Sequence, residues 1–115
     1  MTAVEHLEAR ARQAELAARD RERCARAALP ELLRLLVDRY GARRVTLIGS
    51  LAEGRFAQRS DVDLLVEGLT LDQMLRAWNE ASDLAGLPID LVRAETVTPG
   101  WLAYHERYGK VLHGS

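Results

Sequence analysis

"LIGSLAEGRFAQRSDVDLLVEG", residues 47–68, decides how this chain folds. An apolar run stops at Gly49-Ser50, and ten residues later Asp61 and Asp63 stand one position apart at the mouth of a second apolar run. Side chains alternate along a strand, so Asp61 and Asp63 share one face while Val62 and Leu64 take the other. The apolar face can enter a core. The opposite face then begins with two carboxylates held close together. Like charges at that distance repel unless one takes up a proton or a cation sits between them. A divalent ion that prefers hard oxygen ligands, Mg²⁺ or Mn²⁺, resolves the conflict directly.

Outward from this stretch, "RRVTLIG" (43–49) and "DVDLLVEG" (61–68) read as buried strands, and "PIDLVRAE" (88–95) reads as a third. The third strand holds Asp90 between Ile89 and Leu91. A lone charge inside a buried strand costs several kcal/mol, roughly, unless it is paired or binds metal. If this strand lies beside the one carrying Asp61 and Asp63, three carboxylates meet at one edge of the sheet. Plainer roles exist for each acid alone: Asp61 as a turn residue in "RSD", Asp90 paired with Arg93 or Arg44. Gly49 straight after a strand lets the backbone approach a ligand closely, and the following amides and Ser50 hydroxyl can hold phosphate oxygens. Neither G-x-x-x-x-G-K-[ST] nor G-x-G-x-x-G is present.

Residues 3–29, rich in Ala, Arg and Glu, predict a long helix with a narrow small-residue stripe, suited to packing on its own domain or to docking another chain. Pro30 is expected to end or kink it and to open a core helix, "PELLRLLVDRYG". Thr70 and Gln73 form a capping-box signature before a helix ending at Gly86. Thr98-Pro99 opens a last helix closed by Gly109, with "KVLHGS" as a tail. This order describes a small sheet covered by helices, an α/β class fold. Trp78 and Trp101 sit at core-compatible helix positions, His6, His105 and His113 lack ligand spacing, and Cys24 among alanines is expected to be buried or half-buried.

The chain has 115 residues, 48% of them hydrophobic and 29% charged, enough for one domain with a modest core. No apolar run approaches the length needed to span a bilayer, the charged N-terminus is unlike a secretory signal, and a single cysteine agrees with a cytoplasmic location. The net charge of −1 conceals a split, with ten Arg and seven acids in residues 1–44 against six basic residues and ten acids in the rest. An acidic excess around Asp61, Asp63 and Asp90 suits a cation site better than a nucleic-acid groove, so no direct nucleic-acid binding is expected.

Taken together, "GS" at 49–50, "SDVDLLV" at 60–66 and "IDLV" at 89–92 resemble the nucleotidyltransferase superfamily typified by DNA polymerase β, and most of all its single-domain minimal nucleotidyltransferases. The likeness runs from about residue 31 to the tail. It implies a small mixed β-sheet flanked by helices at 30–115, with the long helix of 1–29 as an addition for packing or partner docking. It also implies that Asp61 and Asp63 bind metal and that Asp90 ligates the catalytic ion and helps deprotonate the attacking hydroxyl. Gly49, Ser50, Arg55 and Ser60 would hold the nucleotide, with ATP as donor and Mg²⁺ or Mn²⁺ as cofactor. Many minimal members read GSxARG, a basic residue where this chain has Glu53; here Arg55 would take over. By resemblance, the partner is a small helical HEPN-type RNase toxin that accepts AMP, with self-association through the N-terminal helix as a further possibility. Two other readings stay open: a small-molecule transferase of the aminoglycoside type, and a partner-binding antitoxin without catalysis, which Glu53 favours.

Overall fold

The computed structural model describes residues 2–114; Met1 and Ser115, the outermost residues of the expected helix and tail, lie outside the described residues. Helix α1 spans Ala3–Leu33, capped by Thr2, whose hydroxyl accepts from Glu5 N. It runs on through Pro30 into a π-helical segment at Arg34–Arg39. The helix end expected at Pro30 is therefore absent. Packing explains why: Ala25, Leu32 and Leu36 are all fully buried and form one stripe across the proline, so bending there would lift half the stripe off the core. A proline inside a helix costs about 3 kcal/mol, partly offset by a stiffer unfolded chain. Pro30→Ala should accordingly stabilise the protein by about 2 kcal/mol, read as a higher urea midpoint at unchanged m-value.

Strand β1 (Arg44–Ile48) leads into a short helix α2 (Gly49–Ala52), followed by strand β2 (Val62–Glu67). Helix α3 (Leu71–Ala85) begins with the expected capping box, Gln73 N donating to Thr70 Oγ1 at 3.2 Å and Thr70 N to Gln73 Oε1 at 2.9 Å. It ends at Gly86 in the left-handed region. Strand β3 (Ile89–Arg93), a 3₁₀ turn (Ala94–Thr96) and helix α4 (Pro99–Tyr108) follow. The segment read as a tail is strand β4 (Lys110–His113), antiparallel to β1. Four residues with no turn signal except Gly109 carry too little periodicity to be seen from sequence.

The sheet order is β3-β2-β1-β4, with β1 antiparallel to β2 and β4, and β2 parallel to β3. One face carries Val45, Leu47, Val62, Leu64, Val66, Ile89 and Leu91, all buried in a single core with Leu32 and Leu36, and with Met74, Ala77 and Ala81 of α3. The other face carries Thr46, Ile48 and Leu65. Its lower half meets α4, where Leu102 approaches Thr46 and Leu65 and Glu106 pairs with Arg44 at 3.3 Å. Its upper end, beyond α4, is where the aspartates gather. Trp78 donates its indole N–H to the Ile89 carbonyl at 2.6 Å and so ties α3 to β3. Cys24 is exposed rather than buried, because the buried stripe of α1 passes through Ala25 instead.

Candidate active site

Register brings the acids together. Asp63 is the Cα partner of Asp90 across the parallel β2–β3 pair and of Ile48 across β1–β2. Residues paired this way project to the same face, so the Asp63 and Asp90 side chains stand side by side. Both are partly buried, whereas Asp61, one residue ahead of β2, is exposed. The plainer roles for Asp90 do not apply: Arg93 donates to the Leu69 carbonyl at 2.7 Å, and Arg44 pairs with Glu106.

Gly49 closes the site from the β1 side. Its φ of +72° lies where side chains are disfavoured, and a Cβ there would overlap Asp63 Oδ2 and sit 3.2 Å from its Cγ. The turn from β1 into α2 is thus pressed against the Asp63 carboxylate, a closeness open only to glycine. Ser50 follows in the first turn of α2, partly exposed. Glu53 and Arg55 pair with each other at 3.4 Å, so each offsets the other's charge near the loop. The Ser60 hydroxyl accepts from Ala57 N at 2.9 Å and Ser60 N donates to the Ala57 carbonyl at 3.1 Å, which makes Ser60 the stay of a tight turn.

Asp63 is pushed up to about 6, by burial first, then by the charges of Asp90 and Asp61, with Arg55 opposing. An unfolded aspartate titrates near 3.9. Between about 4 and 6 the folded chain keeps a proton that the unfolded chain releases, so stability falls as pH climbs through this window and the penalty is complete above it. Solvent access reduces that penalty to the order of 1–2 kcal/mol. Asp63→Asn should therefore stabilise the metal-free protein by about this amount at pH 7.5 and by nothing at pH 3.5, measured by urea unfolding in EDTA. An equal gain at both pH values would trace the effect to packing instead.

The donor set suits a hard divalent cation: carboxylate oxygens from neighbouring strands, one of them destabilised by burial and like charge. Among the described residues, no three His, Cys, Asp or Glu side chains already stand at ligating separation.

Two further residues belong to this region and were not read as such from sequence. Arg21 Nε and Nη2 donate to the Ser60 carbonyl at 3.3 and 3.2 Å, and Arg26 Nη2 donates to the Leu51 carbonyl at 3.1 Å. Both lie in "RARQAELAARDRERCAR", whose alternating charges read as a solvated face. Only the tertiary contact sets these two apart.

Residues 31–115 match the family model described as polymerase beta, nucleotidyltransferase. A Methanocaldococcus jannaschii protein named protein adenylyltransferase MJ1217 is 28% identical over 76 residues, covering 60% of this chain and 78% of that protein. A solved minimal nucleotidyltransferase is 32% identical with a TM-score of 0.64, covering 76% of this chain and 89% of that one. A solved Shewanella oneidensis complex, described as a tri-AMPylated HEPN toxin with its MNT antitoxin, has a chain that matches at 18% identity and a TM-score of 0.63. That match covers 79% of this chain and 73% of the other, and it speaks to the fold. No helix among the described residues is long and apolar enough to cross a membrane.

Proposed function

The chain belongs to the polymerase β nucleotidyltransferase family, and on that premise we propose that it transfers AMP from ATP to a hydroxyl of a small helical HEPN-type protein, acting as that toxin's antitoxin in the cytoplasm. The observation that carries this reading is the pairing of Asp63 with Asp90 on one face, with Gly49 pressed against Asp63. The name of the M. jannaschii relative and the AMPylated toxin in the Shewanella complex support protein as the acceptor class.

Asp61, Asp63 and Asp90 would hold Mg²⁺ or Mn²⁺, which when bound neutralises charge on the triphosphate and on the reacting oxygens. The chain's own groups do the rest. Asp90 takes the proton of the acceptor hydroxyl as that oxygen bonds to the α-phosphorus; the bond from the α-phosphorus to the bridging oxygen breaks, and pyrophosphate leaves with the electron pair. Ser50 and the first amides of α2 orient the terminal phosphates, and Arg55 balances their charge on the loop. Ser60 serves the nucleotide by holding the turn ahead of Asp61. Residues 30–115 act as the transferase and residues 1–29 as the docking helix, through which a second copy can also associate. Exposed Val4, Leu7 and Leu16 on that helix support this division.

The test is incubation of purified protein with Mg²⁺, α-labelled ATP and a small helical HEPN-type protein as candidate acceptor. Label on that protein is the expected result. Tight complex formation without label would favour neutralisation by contact, the reading that Glu53 supports, and label on an aminoglycoside but not on protein would move the acceptor to small molecules.

A further inference from the structure

We infer that Arg21 and Arg26 are positioning residues for the loop between Ser50 and Asp61, so that helix α1, which the family match leaves out up to residue 30, is part of the framework of the candidate site. Arg26 holds the carbonyl of Leu51, the residue after Ser50. Arg21 turns two N–H groups onto the carbonyl of Ser60, the residue before Asp61. The two guanidiniums thus grip both ends of the loop, five positions apart on one helix.

Apolar packing anchors only the first part of this loop, through buried Leu51 and Phe56. Ala57, Gln58 and Arg59 are exposed. Between them and α1 lies an open groove of about 610 Å³, lined by Ala17, Arg21, Cys24, Gln58 and Arg59 among others. Across that groove the Arg21 fork, together with the turn bonds between Ala57 and Ser60, fixes the approach to Asp61 where side-chain packing is missing. A charged donor on a partly buried carbonyl is stronger than a neutral one, and the planar fork sets direction as well as distance.

The kinetic part of the test rests on the transferase reading; the proteolytic part does not. Arg55 and Arg59 are exposed trypsin sites inside the loop. In the full chain, Arg21→Ala/Arg26→Ala should be cut at Arg55 and Arg59 about tenfold faster than the parent, with unchanged helical circular dichroism. The same variant should raise KM for ATP about tenfold, with a smaller effect on kcat. Arg26→Lys should recover most of the parent behaviour, because one donor suffices there. Arg21→Lys should recover less, having lost the fork. Arg76→Ala, whose partner is Asp72 at 3.2 Å on helix α3, should match the parent in every assay. Loop cleavage and KM at parental values in the double variant would overturn the proposal. So would faster cleavage spread evenly along the chain with KM unchanged, since that reports only general loosening. If the parent protein transfers no label, the functional reading fails, while the cleavage pattern still decides the role of the two arginines.

Discussion

Replacing Asp61 and Asp63 together by Ala should reduce AMP transfer by about 10³-fold or more, a loss of roughly 4 kcal/mol or more in transition-state stabilisation. The size follows from what the two groups hold in common. On the proposed reading, charge that develops on the reacting oxygens would be met by a cation held by these carboxylates, with Asp90 beside Asp63 on the same face. The single variants should each lose nearly as much as the pair, because groups that act as a unit are not additive. Stability should move the opposite way: the variant loses the buried carboxylate and the like-charge crowding that together raise Asp63. Single-turnover transfer from labelled ATP, beside urea unfolding of the same samples, checks both halves. An inactive but stabilised variant is the expected pattern. A variant that still transfers label would remove these residues from the chemistry.

Gly49→Ala should destabilise the protein by about 2–5 kcal/mol and silence it as well. Two costs combine. A side chain at φ +72° is disfavoured by about 1–2 kcal/mol, and the new methyl overlaps the Asp63 carboxylate, an overpacking worth about 1–3 kcal/mol. A second substitution separates them. In Gly49→Ala/Asp63→Ala the overlap is gone and only the backbone cost remains, so the pair should be more stable than Gly49→Ala alone. If the two changes prove additive, Gly49 and Asp63 do not touch in solution and the packing described for the site is wrong.

Much of this site is readable from the chain because its signals are local. The i, i+2 spacing sets Asp63 inside β2 and Asp61 one residue ahead of it, and glycine after a buried strand announces a close approach. The β2–β3 neighbourhood that brings in Asp90 is a pairing choice, made legible by an acid held between Ile89 and Leu91. The features that escaped are those decided by tertiary packing. Pro30 obeys the buried stripe of Ala25, Leu32 and Leu36 rather than its own preference. Cys24 is exposed because its neighbour Ala25 takes the inward position. Arg21 and Arg26 look like every other arginine on α1 until the loop is folded against them. Residues 110–113 form a strand only because β1 offers them an edge.

That last strand has a consequence for how the molecule is made. β1 is an inner strand of the sheet, yet its second neighbour comes from residues more than sixty positions further along the chain. Until those residues are synthesised, the outer backbone of Val45, Thr46 and Leu47 has no partner, and a nascent or truncated chain ending at Tyr108 displays an apolar, bare strand border of the kind that recruits other chains. Residues 110–113 act as a seal on an otherwise sticky intermediate.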